Sequence, residues 1–439
     1  MLSFRRRGSF LGLAILLFAM CHASAAVAKR PNVVLIMADD FGYECLGSSG
    51  CLDYQTPELD RLAAGGVRFA EFHAQPLCTP TRVKLMTGQS NRRNYQRFGL
   101  LPRDQITFAQ LFRDAGYHTC IAGKWQLGRE PDAPRHFGFA EALLWQHTRP
   151  RELAGHDTRY ANPRLEHNGL PADGNTGEFS TDLFCDFITE FISRHREEPF
   201  LVYFPMVLTH CPFSPTPDSA AWDPASPGST SYKGDPRHFA DMVRYVDQTV
   251  GRIDAHLRKV GLRDDTLLLF IGDNGTDTPI VTRTSFGVVA GGKGSLTDAG
   301  TRVPCIVSWP GGVEPGHVVR HAADLSDLLP TLCELAGIVP PPGLPLDGAS
   351  LVENLRGETR PHREAIHIWY SRNGRSGGQA FARTAAYKLY GDGRFYHVAA
   401  DRLEQHDLAG KPQAAPVAAI RVQLQQLLDR RQQIPRPAG

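Results

Sequence analysis

The 439-residue chain is most informative first in what it has little of. It lacks a surplus of charge of either sign: 48 basic residues face 46 acidic ones, a formal net charge of +2. That balance argues against nucleic acid as the main partner. Few of the basic residues are lysine, so lysines inside motifs, Lys124 and Lys293, stand out. Cysteine is sparse and scattered, nine in all, which excludes a disulfide scaffold. Cys45 and Cys51 flank a Gly-Ser-Ser-Gly loop and form one candidate pair; most of the others read as small buried hydrophobes. Beyond the first 28 residues no apolar run is long enough to span a bilayer. There is no internal repeat and no low-complexity tract. What remains is an ordinary globular composition, long enough for a large domain and a smaller one.

Residues 1–28 read as an export signal. Arg5, Arg6 and Arg7 form its basic start, residues 10–20 its apolar centre, and Ala23-Ser24-Ala25 or Ala26-Val27-Ala28 its cleavage site. The apolar run is short for a membrane anchor. Met20 before Cys21 gives no lipoprotein context. The expectation is an exported protein, periplasmic or secreted, without a transmembrane anchor.

Asn32-Val33-Val34-Leu35-Ile36-Met37 is a continuous apolar run, which predicts a strand buried on both faces. It stops at Asp39-Asp40. Residues 266–271 repeat the pattern and stop at Asp273-Asn274. Residues 200–206 precede His210, and residues 117–122 precede Lys124. Four strands thus deliver polar groups at their carboxyl ends, where open α/β sheets bind ligands. Residues 57–64, 179–194 and 239–260 predict helices, the last with Met242, Val246, Val250, Ile253 and Leu257 on one stripe. The alternation predicts an α/β fold: a large mixed, mostly parallel sheet sandwiched by helices. A Pro- and Gly-rich stretch at 340–348 marks a boundary. The expected division is a signal at 1–28, a catalytic domain at 29–345 and a small C-terminal α+β subdomain at 346–439. In the latter, strands are expected at 365–370, 380–390 and 394–398, and a helix at 418–431. Residues 129–177, with little periodicity but with Trp145, His147, Arg149, Arg151, His156, Arg159, Tyr160 and His167, read as loops over a pocket.

Cys78-Thr79-Pro80-Thr81-Arg82-Val83-Lys84-Leu85-Met86-Thr87-Gly88 is the densest signal. Pro80 and the run after it predict a helix start, with position 78 just ahead of it. Free amides and the helix dipole favour an anion there. Arg82 can point back to brace negative charge, and Thr87-Gly88 predicts the helix end. Asp39-Asp40 and Asp273-Asn274-Gly275 offer three carboxylates and an amide oxygen, a hard set suited to calcium or magnesium. Each alone is also a common turn.

The Cys78 string resembles the sulfatase signature C-x-P-x-R-x-x-L-x-T-G at every defined position. The resemblance extends over residues 30–408. It implies that Cys78 is oxidised to formylglycine by a maturation enzyme, and that Asp39, Asp40, Asp273, Asn274 and residue 78 surround Ca²⁺, with Mg²⁺ as the alternative ion. Gly123-Lys124-Trp125-Gln126-Leu127-Gly128 is similar to the family's G-K-W-H-L-G, with Gln126 where histidine is usual. His210, in Thr209-His210-Cys211-Pro212, and Lys293, in Gly291-Gly292-Lys293, fall in family loops that contact sulfate. In that loop Asp298-Ala299 departs from Glu-Gly. The implied catalytic set is Cys78, Arg82, Lys124, Gln126, His210 and Lys293. In the implied reaction one hydroxyl of hydrated residue 78 attacks sulfur, His210 or Lys293 protonates the departing alcohol, and the second hydroxyl expels sulfate. A sulfated sugar or an aryl sulfate is the expected substrate. The alternatives are a phosphate or phosphonate monoester hydrolase of the same superfamily, and an inactive sulfated-glycan-binding homologue, for which Gln126 is the one supporting feature. Oligomeric state has no signal here.

Overall fold

The computed structural model describes residue 2 and residues 30–374 and 377–436. The basic, apolar and small-residue parts of the expected export signal, residues 5–28, lie outside these. Among the described residues no helix is long and apolar enough to cross a membrane.

A ten-stranded sheet organises the chain. From one edge to the other it runs His317–Asp324, Val67–His73, Cys305–Ser308, Thr266–Gly272, Asn32–Ala38, Phe200–Pro205, His118–Lys124, Glu141–Trp145, Leu165–His167 and Leu170–Ala172. The five strands from Thr266–Gly272 to Glu141–Trp145 are mutually parallel, and antiparallel strands flank them. The four apolar runs of the sequence are all in this parallel centre. Their composition has a physical cause: a central parallel strand is covered on both faces, so both alternating sets of side chains must be apolar. Val33, Leu35 and Met37 pack on one side with Val83, Leu85, Phe108 and Phe112. Val34, Ile36 and Ala38 pack on the other with Leu59, Phe184, Ile188, Met242, Val246 and Val250. The latter residues come from helices Pro57–Ala64, Ser180–Arg194 and Phe239–Lys259. Each fully buried aliphatic side chain contributes about 1.5–3 kcal/mol, so a charge at Ile36 would break this layer.

Register then sets the site. Asn32–Ala38 pairs with Thr266–Gly272 from Asn32 opposite Thr266 to Ala38 opposite Gly272. The two strands therefore end level, and Asp39-Asp40 leaves beside Asp273-Asn274. On the other side Met37 lies opposite Pro205, which starts the loop to His210 at the same edge.

Several expectations change. The segment 129–177 is not only loop: Glu141–Trp145, Leu165–His167 and Leu170–Ala172 extend the sheet. The stretch 380–390 is two strands, Gln379–Arg383 and Lys388–Tyr390, joined by a turn closed by Thr384 N–H to Tyr387 O at 2.9 Å. With Ile366–Tyr370 and Phe395–Tyr396 they form a separate antiparallel four-stranded sheet. Helix Ala415–Gln432 covers one face of it, placing Leu424 and Leu428 on Ala382, Leu389 and Phe395. The other face, with Ile368, Phe381 and Tyr390, packs on Leu296, just beyond Lys293. Cys45 and Cys51 both remain free thiols: Cys45 is buried against Thr276, and Cys51 Sγ accepts from Tyr54 N–H.

Candidate active site

Cys78 is the first residue of helix Cys78–Thr87, rather than the residue ahead of it, and Pro80 is the third. Leu77 is the cap: its carbonyl accepts from Thr81 N–H at 3.2 Å. The amides of Cys78 and Thr79 are thus in the first turn, which no intrahelical bond satisfies. Gly88 ends the helix at φ 65° and donates its N–H to Lys84 O at 2.9 Å, a left-handed cap that glycine adopts without strain. Every residue of this helix is buried, so its polar side chains need partners. Lys84 meets Asp324 at 3.0 Å. Thr81 Oγ1 donates to Asp273 O at 2.6 Å, tying the helix to the second acidic strand end.

Arg82 is fully buried. Its guanidinium donates to Lys124 O at 2.7 Å and lies 3.4 Å from Asp273 and 3.7 Å from Asp39. It braces the acidic ends. Lys124 Nζ lies 2.5 Å from Asp39 Oδ2, and Lys293 Nζ lies 2.5 Å from Asp40 Oδ2. His210 Nε2 is 3.8 Å from the same Asp40 oxygen. Asn274 donates to Asp40 Oδ1 at 2.8 Å, and Asp273 Oδ1 accepts from Asp40 N–H at 2.9 Å. Ligand atoms of Asp39, Asp40 and His210 lie within 4.8 Å of one another; that group includes neither Cys78 nor Asp273. Gly275 must be glycine, because a Cβ there would fall 1.8 Å from Ala299 O.

The charges do not compensate evenly. Burial opposes ionisation of Asp39, but Lys124, Arg82 and Lys293 outweigh it and hold its carboxyl below the usual range. Burial raises Asp40, and the neighbouring Asp39 and Asp277 add to it. Burial, then Asp39, pushes Asp273 well above the usual range. Burial opposes protonation of Lys293 as well, yet Asp40, Cys78 and Asp39 hold it protonated. Burial and the cations Lys293, Arg159 and Lys124 keep His210 neutral. Two buried oxygens, Asp39 Oδ1 and Asn274 Oδ1, have no hydrogen-bond partner. Orphaned buried oxygens beside under-compensated carboxylates fit a hard divalent cation, which would satisfy both.

Gln126 has a left-handed backbone, φ 56°, and a buried Oε1 with no partner. Asp298 is withdrawn from the site into a buried network, 2.8 Å from Arg383 and 3.2 Å from Lys388. That network clamps the Lys293 loop to the C-terminal sheet.

Arg159 belongs to the segment 129–177 that the sequence marks as a cover, but not to the catalytic set it implies. Arg159 is buried, with its guanidinium 4.5 Å over the Trp145 ring, donating to Cys211 O and touching His210 Nδ1. Tyr160 donates to Val207 O at 3.0 Å and also to His210 O. The pair fixes the His210 loop from the segment read as a cover. Its only sequence signal was an aromatic and an arginine together in that segment.

Residues 31–338 match the family model described as Sulfatase. The chain is 32% identical over 404 residues to arylsulfatase A of Homo sapiens, spanning 84% of this chain and 76% of that protein. It is 30% identical over 378 residues to N-acetylgalactosamine-6-sulfatase of Mus musculus, spanning 78% and 69%. Among solved structures, that of Ps i-CgsB aligns with a TM-score of 0.76 at 25% identity, covering 93% of this chain and 94% of that one. The match over most of the chain, the Cys78 string and the paired acidic strand ends lead to one assignment: this chain belongs to the sulfatase family, whose members are sulfuric ester hydrolases.

Proposed function

We propose that this enzyme removes sulfate from a sulfated carbohydrate, with an aryl sulfate as the simpler substrate, through formylglycine at position 78 and Ca²⁺ held by Asp39, Asp40, Asp273 and Asn274. The observation that carries the reading is the convergence of Lys124, Lys293 and His210 on the Asp39-Asp40 strand end, which lies next to Asp273-Asn274 and beside a helix whose first residue is Cys78. A hydrated formylglycine supplies one hydroxyl to attack sulfur and a second to expel sulfate. A divalent ion, when bound, supplies Lewis-acid polarisation of a sulfate oxygen. The protein's own groups do the rest. The ammonium groups of Lys124 and Lys293 are held by carboxylates on the strand ends, so they are in place before a sulfate arrives. Protonated Lys293 carries the proton toward the leaving oxygen. Neutral His210 makes one hydrogen bond at Nε2: it donates there when Arg159 donates to Nδ1, and accepts there when Nδ1–H donates to Cys211 O. Gln126 has no basic nitrogen, so it orients a hydroxyl but does not take its proton.

The test is peptide mass spectrometry with an aldehyde-reactive probe at position 78, paired with sulfate release from defined sulfated glycans and 4-nitrophenyl sulfate, with 4-nitrophenyl phosphate as the comparison. The expected result is carbonyl at position 78 and sulfate turnover exceeding phosphate turnover. A fully active preparation carrying only thiol there would sink the mechanism.

A further inference from the structure

We propose that a cleft beside Cys78 is a subsite for the sugar next to the sulfated one, and that this neighbour carries its own negative charge. The inference rests on the sulfated-carbohydrate reading above and specifies its substrate further. The cleft holds about 400 Å³, within the ~300–1,000 Å³ range of ligand pockets. Two loops form it, one at residues 97–100 and one at residues 126–130, closed behind by residues 146–147. Leu101 N–H to Leu127 O at 3.1 Å joins the two loops. Gly99 N–H to Thr79 Oγ1 at 3.2 Å fastens the first loop to the residue after Cys78. The cleft is therefore anchored to the first turn of the helix that begins at Cys78.

Its lining is that of an anionic sugar site. Arg97 and Arg129 both border it, and neither guanidinium has a hydrogen bond or ion pair with another described residue. Nearby Arg103 and Arg113, by contrast, are bonded to Asp132 and Asp114. One carboxylate, Glu130, also lines the cleft, so positive charge predominates two to one. Phe98, 43% exposed, offers a flat apolar face on the rim. Two amides complete the wall, and both stand on left-handed backbone, Gln126 at φ 56° and Gln146 at φ 55°. Such conformations persist where surrounding structure imposes them, often at ligand sites. A bare aryl group or a neutral sugar would leave both guanidiniums unpaired. A carboxylate or sulfate ester on the neighbouring sugar pairs with them, since a planar guanidinium binds either anion through paired N–H groups.

The test uses enzyme with verified formylglycine and bound calcium. A sulfate-release screen first identifies the sulfated sugar that is cleaved. Three disaccharides then share that residue and differ in the neighbour: neutral, carboxylated, or sulfated. The expected result is kcat/KM about tenfold or more above the neutral disaccharide for one charged form, expressed mainly in KM and falling with added salt. Which form gains identifies the anion. Arg97→Gln and Arg129→Gln should each lower the charged-to-neutral ratio several-fold, and the double variant should bring it close to one. A ratio is read because a general loss of fold would lower both rates and leave it unmoved. Equal kcat/KM on all three disaccharides, or a ratio unchanged in both variants, overturns the subsite while leaving the sulfatase reading intact. Turnover of 4-nitrophenyl sulfate with no sugar cleaved, or no release from anything, overturns the carbohydrate reading and the subsite together.

Discussion

Arg159→Met isolates the contribution of the segment that covers the sheet edge. Methionine keeps most of the stem volume and removes the guanidinium. Three interactions go with it besides the contact to His210. The first is the cation over Trp145 at 4.5 Å, worth about 2 kcal/mol where desolvated. The second is the donor to Cys211 O, whose loss leaves a buried carbonyl at a cost of about 1–3 kcal/mol. The third is the partner of Asp157 at 3.5 Å; Asp157 keeps the Arg159 backbone N–H at 3.0 Å, so this loss is the smallest. Against these, an apolar side chain no longer carries the desolvation penalty of a buried charge. The net loss of stability is about 2–4 kcal/mol, read as a lower urea midpoint at unchanged slope. The kinetic consequence is separate. His210 loses the contact at Nδ1 that holds its ring, so Nε2 is no longer fixed beside Asp40. Misplacing one substrate contact by about an ångström costs up to ~100-fold, and a fall in kcat of about 10- to 100-fold is expected on 4-nitrophenyl sulfate, normalised to formylglycine content. Arg159→Lys, which keeps charge without the planar fork, should recover stability more than turnover. If Arg159→Met keeps kcat within threefold of the parent at a temperature where both are folded, the positioning argument is wrong.

Asp40→Ala removes the carboxylate shared by Lys293, His210 and Asn274, and calcium stoichiometry by atomic absorption should fall from near one to near zero; stoichiometric metal with normal turnover would refute the assignment. Burial, then Arg383, depresses His73 to about 4. The unfolded chain therefore binds the extra proton between pH ~6.5 and ~4, so stability is fully present above that window and is lost as pH falls through it. For one buried histidine this amounts to about 2 kcal/mol between pH 7 and pH 5; His73→Gln should flatten the stability–pH curve by that amount, and an unchanged curve counts against it. Gln126→His puts a base where the family pattern has histidine. If elimination is the slow step in the parent, a burst of alcohol precedes steady turnover and the variant shortens it; no burst in the parent together with no acceleration in the variant disposes of the idea.

The parts of this protein legible along the chain are those whose causes are local. A strand covered on both faces must be apolar throughout, so 32–37, 200–206 and 266–271 announce themselves, and the strands end within a residue or so of where the apolar runs stop. The helix Cys78–Thr87 is legible for a similar reason, since Pro80 and Gly88 act within one turn of their own positions. Its start was misjudged by two residues, because Leu77 caps through its backbone and leaves no side-chain signature. Pairing is another matter. Asp39-Asp40 and Asp273-Asn274 are each an ordinary turn until the register that sets Ala38 opposite Gly272 brings them together, and only a family pattern could link them across that separation. The strands in 129–177 are three to five residues long and gain their hydrogen bonds from a sheet built elsewhere, so no periodicity marks them. Arg159, Asp298 and Gln126 depend on folding entirely. A buried charge is defined by the partners that surround it, a withdrawn carboxylate by Arg383 and Lys388 from another sheet, and a left-handed glutamine by the loops that pin it. Such long-range contacts leave no trace in neighbouring residues, because the free energy that selects them exists only once the chain has closed around them.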